Sequence, residues 1–177
     1  VTIPTSATSM GDSVFENCSA LAEVNLPDDM TVIMNHLFEG CTSLTSMTIP
    51  AGVTKMGQYV FSGCTSLTSV TIPAGVTRID IGTFSNCIAL VESPLHEGVT
   101  EIGKDAFAGC TKLAKISFQG NAPAISEDAF AGVTAAAEYP KYDPSWTDDV
   151  KGNYGGTMTW TGVEYPCEHT NTQTTGK

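Results

Sequence analysis

Cysteine and histidine are the residues in this chain with the widest chemical range, from nucleophilic catalysis to metal binding. Five of the six cysteines recur at a constant 23-residue interval, and the sixth belongs to Cys167-Glu168-His169. The three histidines, His36, His96 and His169, fall at three different positions relative to that interval. A nucleophile or a metal ion needs partner side chains at fixed distances. This pattern supplies none, so we expect no catalysis, no metal and no cofactor.

Other chemical cues in the sequence are weak. Cys167-Glu168-His169 lacks the second ligand pair of a metal site, and we interpret it as the start of another module. The acidic pairs Asp28-Asp29 and Asp148-Asp149 have no calcium-binding loop around them and suit solvated turns. Gly155-Gly156 is too short to cradle a phosphate, and no nucleotide-binding or zinc-protease motif occurs. Enzyme chemistry is therefore not predicted.

Charge and composition narrow the class of partner. The chain has 177 residues, of which 19 are acidic and 8 basic, giving a net charge of −11. Such a charge opposes binding to nucleic acids and anionic membranes. No apolar run reaches the roughly 18 residues that span a bilayer, and the 41% hydrophobic content is enough for a core. Because residues 1–4 already belong to a repeat, we expect a piece of a longer polypeptide.

The cysteine spacing is one part of a 23-residue repeat that runs from Val1 to Phe130 without an insertion or deletion. Several apolar columns keep the same step. The phenylalanine column is Phe15, Phe38, Phe61, Phe84, Phe107 and Phe130; the cysteine column is Cys18, Cys41, Cys64, Cys87 and Cys110; and the leucine column is Leu21, Leu44, Leu67, Leu90 and Leu113. A period of this length is typical of a solenoid, in which each repeat buries its apolar face against its neighbours.

The best-kept repeat shows how each unit folds. Leu67, Val70 and Ile72 have the spacing of a leucine-rich repeat, and the alternation around Thr71 predicts a short strand with one buried face. Pro73 ends this strand because it has no amide proton for a sheet. A glycine or asparagine before each cysteine, such as Gly63, is expected to close a short helical turn. We interpret the buried cysteines as free thiols, although disulfides between adjacent coils are conceivable.

The pattern Phe-x-x-Cys-x-x-Leu-x-x-Val-x-Ile-Pro resembles the BspA-type leucine-rich repeat, also seen in treponemal leucine-rich proteins. It matches 38–57 and 61–79 most fully. The resemblance implies a right-handed α/β solenoid with short parallel strands on a concave face and short helical or irregular turns on a convex face. It also implies secreted or surface-displayed bacterial proteins, some of which adhere to host matrix proteins or cells.

A binding face is predicted on the strands. Their outward positions are rich in small hydroxyl groups and poor in the aromatic and arginine anchors of tight interfaces, so each contact would be weak and binding would depend on extent. The candidate ligand-binding residues are Glu23, Asn25, Ser46, Thr48, Ser69, Thr71, Lys115 and Ser117.

One repeat departs from the pattern. Ser93 stands in an apolar column and Pro94 lies inside the same strand, while His96 replaces the proline that ends other strands. Proline cannot donate to a sheet. We therefore predict a local break or bend of the sheet at Glu92–His96.

The repeat pattern stops after Phe130, which suggests three regions. Residues 1–133 form the solenoid, and the aromatic-rich residues 134–163 are predicted to cap its exposed apolar end. A sugar-binding aromatic platform is the alternative for that segment. Residues 164–177 have the composition of a linker to a missing module.

Two main functional hypotheses follow from these features. The first is an extracellular or cell-surface scaffold that binds a host protein, a partner cell or a glycan through the strand face. The second is a structural stalk that presents another module. A third is a carbohydrate-binding region, within residues 139–160, attached to an enzyme elsewhere in the chain.

Overall fold

A computed structural model describes residues 1–7 and 9–165 of the chain. Short strands alternate with turns, and the helix in this part of the chain is a 3-10 turn at Asp148–Val150. The strands are β1 Val32–Ile33, β2 Ser46–Thr48, β3 Lys55–Met56, β4 Ser69–Thr71, β5 Arg78–Ile79, β6 Glu101–Ile102, β7 Lys115–Ser117, β8 Ala124–Ile125, β9 Thr134–Pro140 and β10 Thr157–Val163.

The strands pair in parallel into a solenoid of about six turns. We call the series that contains residues 23–25, β2, β4, residues 92–94, β7, β9 and β10 the front ladder. The second series, β1, β3, β5, β6 and β8, is the side ladder. Ser46 pairs with Ser69 in the first and Val32 with Lys55 in the second, so one turn of the solenoid equals one sequence repeat. The spacing of the sequence repeat is thus the register of the sheets.

The core is built from columns of identical side chains. Six phenylalanine rings, from Phe15 to Phe130, stack with neighbouring centroids 5.2 to 5.6 Å apart and ring planes within 16° of each other. The five from Phe38 to Phe130 are buried. Offset stacking of this kind adds to the free energy of apolar burial. Because each inner ring stacks on a neighbour in the coil before it and the coil after it, the column favours continued stacking over an isolated coil.

The segments before each cysteine are consecutive turns and do not form a helix. Ser62 and Cys64 donate amide protons to the carbonyls three residues earlier, those of Tyr59 and Phe61. The residue preceding the cysteine has a left-handed backbone, with φ of 72° at Gly63 and 58° at Asn86. Glycine and asparagine tolerate this conformation best, which explains their presence at this position.

The predicted break at Glu92–His96 is confirmed. Glu92 makes only an isolated bridge, to Lys115, and the front ladder is interrupted between β4 and β7. Pro94 has no amide proton to offer a neighbouring strand. Ser93 compensates in part, since its hydroxyl oxygen accepts the amide proton of Ser117 at 3.3 Å. The polar side chain in this apolar column therefore replaces part of the missing backbone pairing.

Sheet pairing continues beyond the point where the sequence repeat ends. Strand β9 pairs with β7 through Lys115 and Ala136, a step two positions shorter than the repeat, whereas β10 pairs with β9 at the regular step, Thr134 to Thr157. Residues 134–163 thus add two strands to the front ladder. Their role as a cap stays a prediction. Of the predicted linker, residues 164–177, only Glu164 and Tyr165 are among the described residues. The weak metal-binding pattern Cys167-Glu168-His169 lies outside them.

Candidate binding face

All eight predicted binding residues lie on the front ladder. Seven of them are exposed and Ser117 is half-buried. Strands β2, β4 and β7 alternate outward polar and inward apolar side chains; in β4, Ser69 and Thr71 face out while Val70 is buried. The structure brings some of the eight residues together but separates others, because the ladder is not continuous.

Four hydroxyl-bearing residues form one compact surface, which we call the hydroxyl patch. It consists of Ser46 and Thr48 on β2 and Ser69 and Thr71 on β4, paired directly across the two strands. None of these four hydroxyl groups has a hydrogen-bond partner within the described part of the chain. A hydroxyl can both donate and accept. The patch therefore offers about twelve hydrogen-bonding sites to a ligand, one donor and two acceptors per hydroxyl.

A groove borders the hydroxyl patch on each side. The first, of about 400 Å³, lies between residues 23–28 and β2; the second, of about 340 Å³, lies between β4 and residues 91–94. Both coincide with interruptions of the front ladder, since neither Asn25 nor Glu92 pairs with the strand beside the patch. The missing backbone pairing thus produces the two grooves on this face.

Carboxylates give the grooves a negative charge. Glu23 and Asp28 line the first groove and Glu92 the second. All three are exposed, and none forms an ion pair within the described residues. The eight candidate residues include Glu23 but not Asp28 or Glu92, although Glu92 stands at an outward strand position in the same repeat column as Glu23.

Lys115 and Ser117 lie apart from the hydroxyl patch. The break at Glu92–Pro94 separates them from β4. The Lys115 ammonium is 3.2 Å from the Glu138 carboxylate, so its charge is already matched. This end of the front ladder is accordingly a distinct surface from the patch and its grooves.

Buried thiols form a column in the core. In the four buried cysteines each thiol donates to a phenylalanine carbonyl of the preceding coil at 3.0 to 3.1 Å. Burial raises the pKa of Cys41 to about 11 and of Cys64 and Cys110 to about 12. All five described cysteines are free, which agrees with the prediction of unpaired thiols. Such thiols are poor nucleophiles.

Alkylation by iodoacetamide at pH 8 should separate the exposed thiol from the buried ones. We expect Cys18 to be modified within minutes and Cys41, Cys64, Cys87 and Cys110 only after unfolding in urea, as read by peptide mass spectrometry.

Folding raises the pKa values of the four thiols of Cys41, Cys64, Cys87 and Cys110, so these thiols ionise at a lower pH in the unfolded chain than in the folded one. Their contribution to the unfolding free energy should therefore be constant at pH values well below about 8.5, the ordinary pKa of a thiol, and fall as the pH rises from there toward 12. Rapid labelling of Cys64 in the folded protein would contradict this arrangement.

The two described histidines have structural contacts. His96 has Nε2 3.0 Å from the Val76 carbonyl oxygen, and its Nδ1 accepts the amide proton of Gly98. His36 stacks on Tyr59 at 5.1 Å and contacts the Glu39 carboxylate. No group of three metal-binding side chains occurs in residues 1–7 and 9–165. No helix in the same residues has the length and hydropathy to cross a bilayer.

The C-terminal aromatic residues pack against one another. Trp146 is buried and lies 4.9 Å from Phe118, 5.5 Å from Tyr139 and 5.6 Å from Trp160, between ring centroids. Both indole N–H groups donate to backbone carbonyls, of Gly120 and Gly152, at 3.0 Å. Their polar atoms are therefore occupied within the fold, and the cluster supports packing more than a sugar platform.

Comparisons with known proteins agree with this geometry. A family model described as the BspA type leucine rich repeat region matches residues 1–108 in six copies. No curated protein matches the sequence well enough to count as a relative.

Three solved structures that match this chain are of bacterial leucine-rich repeat proteins. The crystal structure of the T. pallidum protein TpLRR is 22% identical with a TM-score of 0.61, covering 92% of this chain and 86% of that one. A leucine rich cell surface protein of Faecalibacterium prausnitzii is 24% identical with a TM-score of 0.46, covering 92% and 59%. A Bacteroides ovatus leucine-rich repeat protein is 21% identical with a TM-score of 0.41, covering 91% and 65%. This chain spans less than two thirds of the latter two.

Proposed function

Since this chain belongs to the BspA-type leucine-rich repeat family, we propose that it is a non-catalytic binding scaffold that recognises a protein or a glycan through its front ladder. The single observation that carries the proposal is the hydroxyl patch, whose four hydroxyl groups are exposed and free of partners in the described fold. Buried or paired hydroxyls would have no capacity for a ligand.

The form of this face favours an extended contact over a deep pocket. The hydroxyl patch spans two strands, and both bordering grooves are partly open to solvent. A typical hydrogen bond contributes only about 0.5–1.5 kcal/mol net. Binding strong enough to matter therefore needs several patch residues at once, or many copies of the protein on one surface.

We place this activity outside the cell, secreted or on a bacterial surface, because the family resemblance implies display of that kind. Adhesion would suit such a location. The partner would be a host matrix or cell-surface protein, or a glycan, and not a nucleic acid, because the chain carries a net charge of −11.

A structural stalk is the second candidate function. A regular stack of coils separates its two ends by a defined length, and the hydroxyl groups of the front ladder would then serve solubility and strand propensity alone. The two grooves beside the hydroxyl patch favour binding over this alternative, since a spacer does not need grooves on its surface.

Glycan and matrix-protein arrays test the proposal. We expect at least one ligand to bind, and replacing Ser46, Thr48, Ser69 and Thr71 together by alanine to weaken that binding by about tenfold or more. A matched variant replaces four exposed threonines outside the front ladder, Thr31, Thr54, Thr77 and Thr111. Equal binding by both variants and the parent chain would refute the role of the front ladder. The absence of any ligand on the arrays would favour the stalk.

A further inference from the structure

Two unpaired carboxylates bracket the hydroxyl patch along one line. Glu23, Ser46, Ser69 and Glu92 are successive members of one column of the repeat, on the front ladder. Glu23 lines the first groove and Glu92 the second. Three coils separate them. Three hydrogen-bonded steps of about 4.8 Å would span roughly 14 Å, and this is a lower bound because only the step from Ser46 to Ser69 is hydrogen-bonded.

The charge around this column is one-sided. No lysine or arginine lines either groove, and Asp28 adds a carboxylate to the first. The nearest cation along the column is Lys115, the ladder partner of Glu92, and its ammonium is 3.2 Å from the carboxylate of Glu138. The carboxylates of Glu23, Asp28 and Glu92 thus have no ion-pair partner within the described residues, although the N-terminal ammonium of Val1 donates to the backbone carbonyl of Glu23 at 2.8 Å.

The proposed function leaves the partner open between protein and glycan, and on that basis we infer a narrower class. We propose that the front ladder binds an extended polypeptide segment with two basic residues four positions apart. The segment runs across the strands, with one basic side chain in each groove and its backbone over Ser46 and Ser69.

The geometry of an extended chain sets this spacing. Residues rise about 3.3 Å each, so positions i and i+4 are about 13 Å apart and their side chains point to the same side. Positions i and i+3 or i+5 point to opposite sides. The hydroxyl groups between the two carboxylates can donate to backbone carbonyls and accept from backbone amides.

The same features disfavour a glycan on this face. The grooves contain no aromatic side chain on which a sugar ring could stack. A neutral sugar gains no ion pair from Glu23 and Glu92, and an anionic one is repelled by them. Charge complementarity thus points to a basic peptide.

Fluorescence anisotropy with synthetic peptides tests the inference on the full chain. The probes are fluorescein-labelled, end-blocked peptides of threonine, serine and valine with two lysines at i,i+4, the same with lysines at i,i+3, and the i,i+4 peptide with glutamates. We expect the i,i+4 lysine peptide to bind about two- to five-fold more tightly than the i,i+3 peptide, the range for one exposed ion pair. Binding should weaken with added salt, and the glutamate peptide should not bind.

Protein variants locate the contact. Glu23→Gln and Glu92→Gln should each weaken binding of the i,i+4 lysine peptide about two- to five-fold. Glu127→Gln, which removes an exposed carboxylate outside the front ladder, should have no effect. Equal affinity for i,i+4 and i,i+3 peptides, equal loss in all three variants, or no binding of any lysine peptide would overturn the inference.

A separate outcome distinguishes this inference from the proposed function. If an array glycan depends on the four hydroxyl residues but binds unchanged to Glu23→Gln and Glu92→Gln, the front ladder is a binding face and the basic-peptide inference is wrong. If peptides of the series bind with the expected spacing but ignore the hydroxyl variants, the carboxylates act without the patch and the inference is wrong in its geometry.

Discussion

Replacing Phe84 by alanine is expected to lower the free energy of unfolding by about 3–5 kcal/mol, the range for loss of a buried aromatic ring. The Phe84 ring is fully buried, and its centroid lies 5.5 Å from that of Phe61 and 5.3 Å from that of Phe107. The substitution leaves a cavity in the middle of the column and removes two stacking contacts at once. Urea unfolding followed by circular dichroism measures the change.

Phe15 provides the matched control for this prediction. Its ring is half-buried at the end of the same column and has one stacking neighbour, Phe38, at 5.5 Å. Phe15→Ala should therefore cost about half as much or less, since the ring loses less apolar burial. Equal costs at the two positions would show that the column does not act as a continuous stack.

Trp146→Ala is expected to have a similarly large effect, about 3–5 kcal/mol. This residue follows β9, is 5% exposed, and donates its indole proton to the carbonyl of Gly120, which follows β7. It therefore connects the C-terminal segment to the last regular coil. Trp160 fluorescence and circular dichroism should both report the loss at a lower urea concentration than in the parent chain.

Trp146→Phe separates packing from hydrogen bonding. The phenyl ring keeps most of the contact with Phe118 and Tyr139 but cannot donate to Gly120, so we expect a smaller loss, of about 1–3 kcal/mol. If Trp146→Ala shifts Trp160 fluorescence but leaves the dichroism transition in place, residues 134–163 unfold on their own. Such a result would mean that β9 and β10 are not part of one cooperative solenoid.

The core and the exposed residues of the candidate site could be predicted from the repeat. The phenylalanine and cysteine columns follow from the constant step because identical side chains in successive coils occupy the same depth. The outward position of Ser46, Thr48, Ser69 and Thr71 follows from strand alternation. The break at Pro94 was also predictable, since proline removes an amide proton wherever it stands.

The extent of the sheet was not predictable in the same way. Strands β9 and β10 pair in parallel although their residues share no column with the earlier coils. Backbone hydrogen bonds can join any two extended segments. Strand pairing can therefore continue past the point where the repeat of side chains ends. The step between β7 and β9 is also two residues shorter than the repeat, so the 23-residue spacing does not predict which residues pair.

What the sequence by itself determined is the register: side chains recur at a constant step, and burial of each column requires its neighbours to lie one coil away. Pro94 predicted one opening of that register, and only the tertiary structure revealed the other, between Asn25 and β2. The gap beside Asn25 depends on how adjacent coils fit together, which is a property of pairs of coils and of no single repeat. Those gaps open a groove on each side of the hydroxyl patch, one beside Glu23 and one beside Glu92.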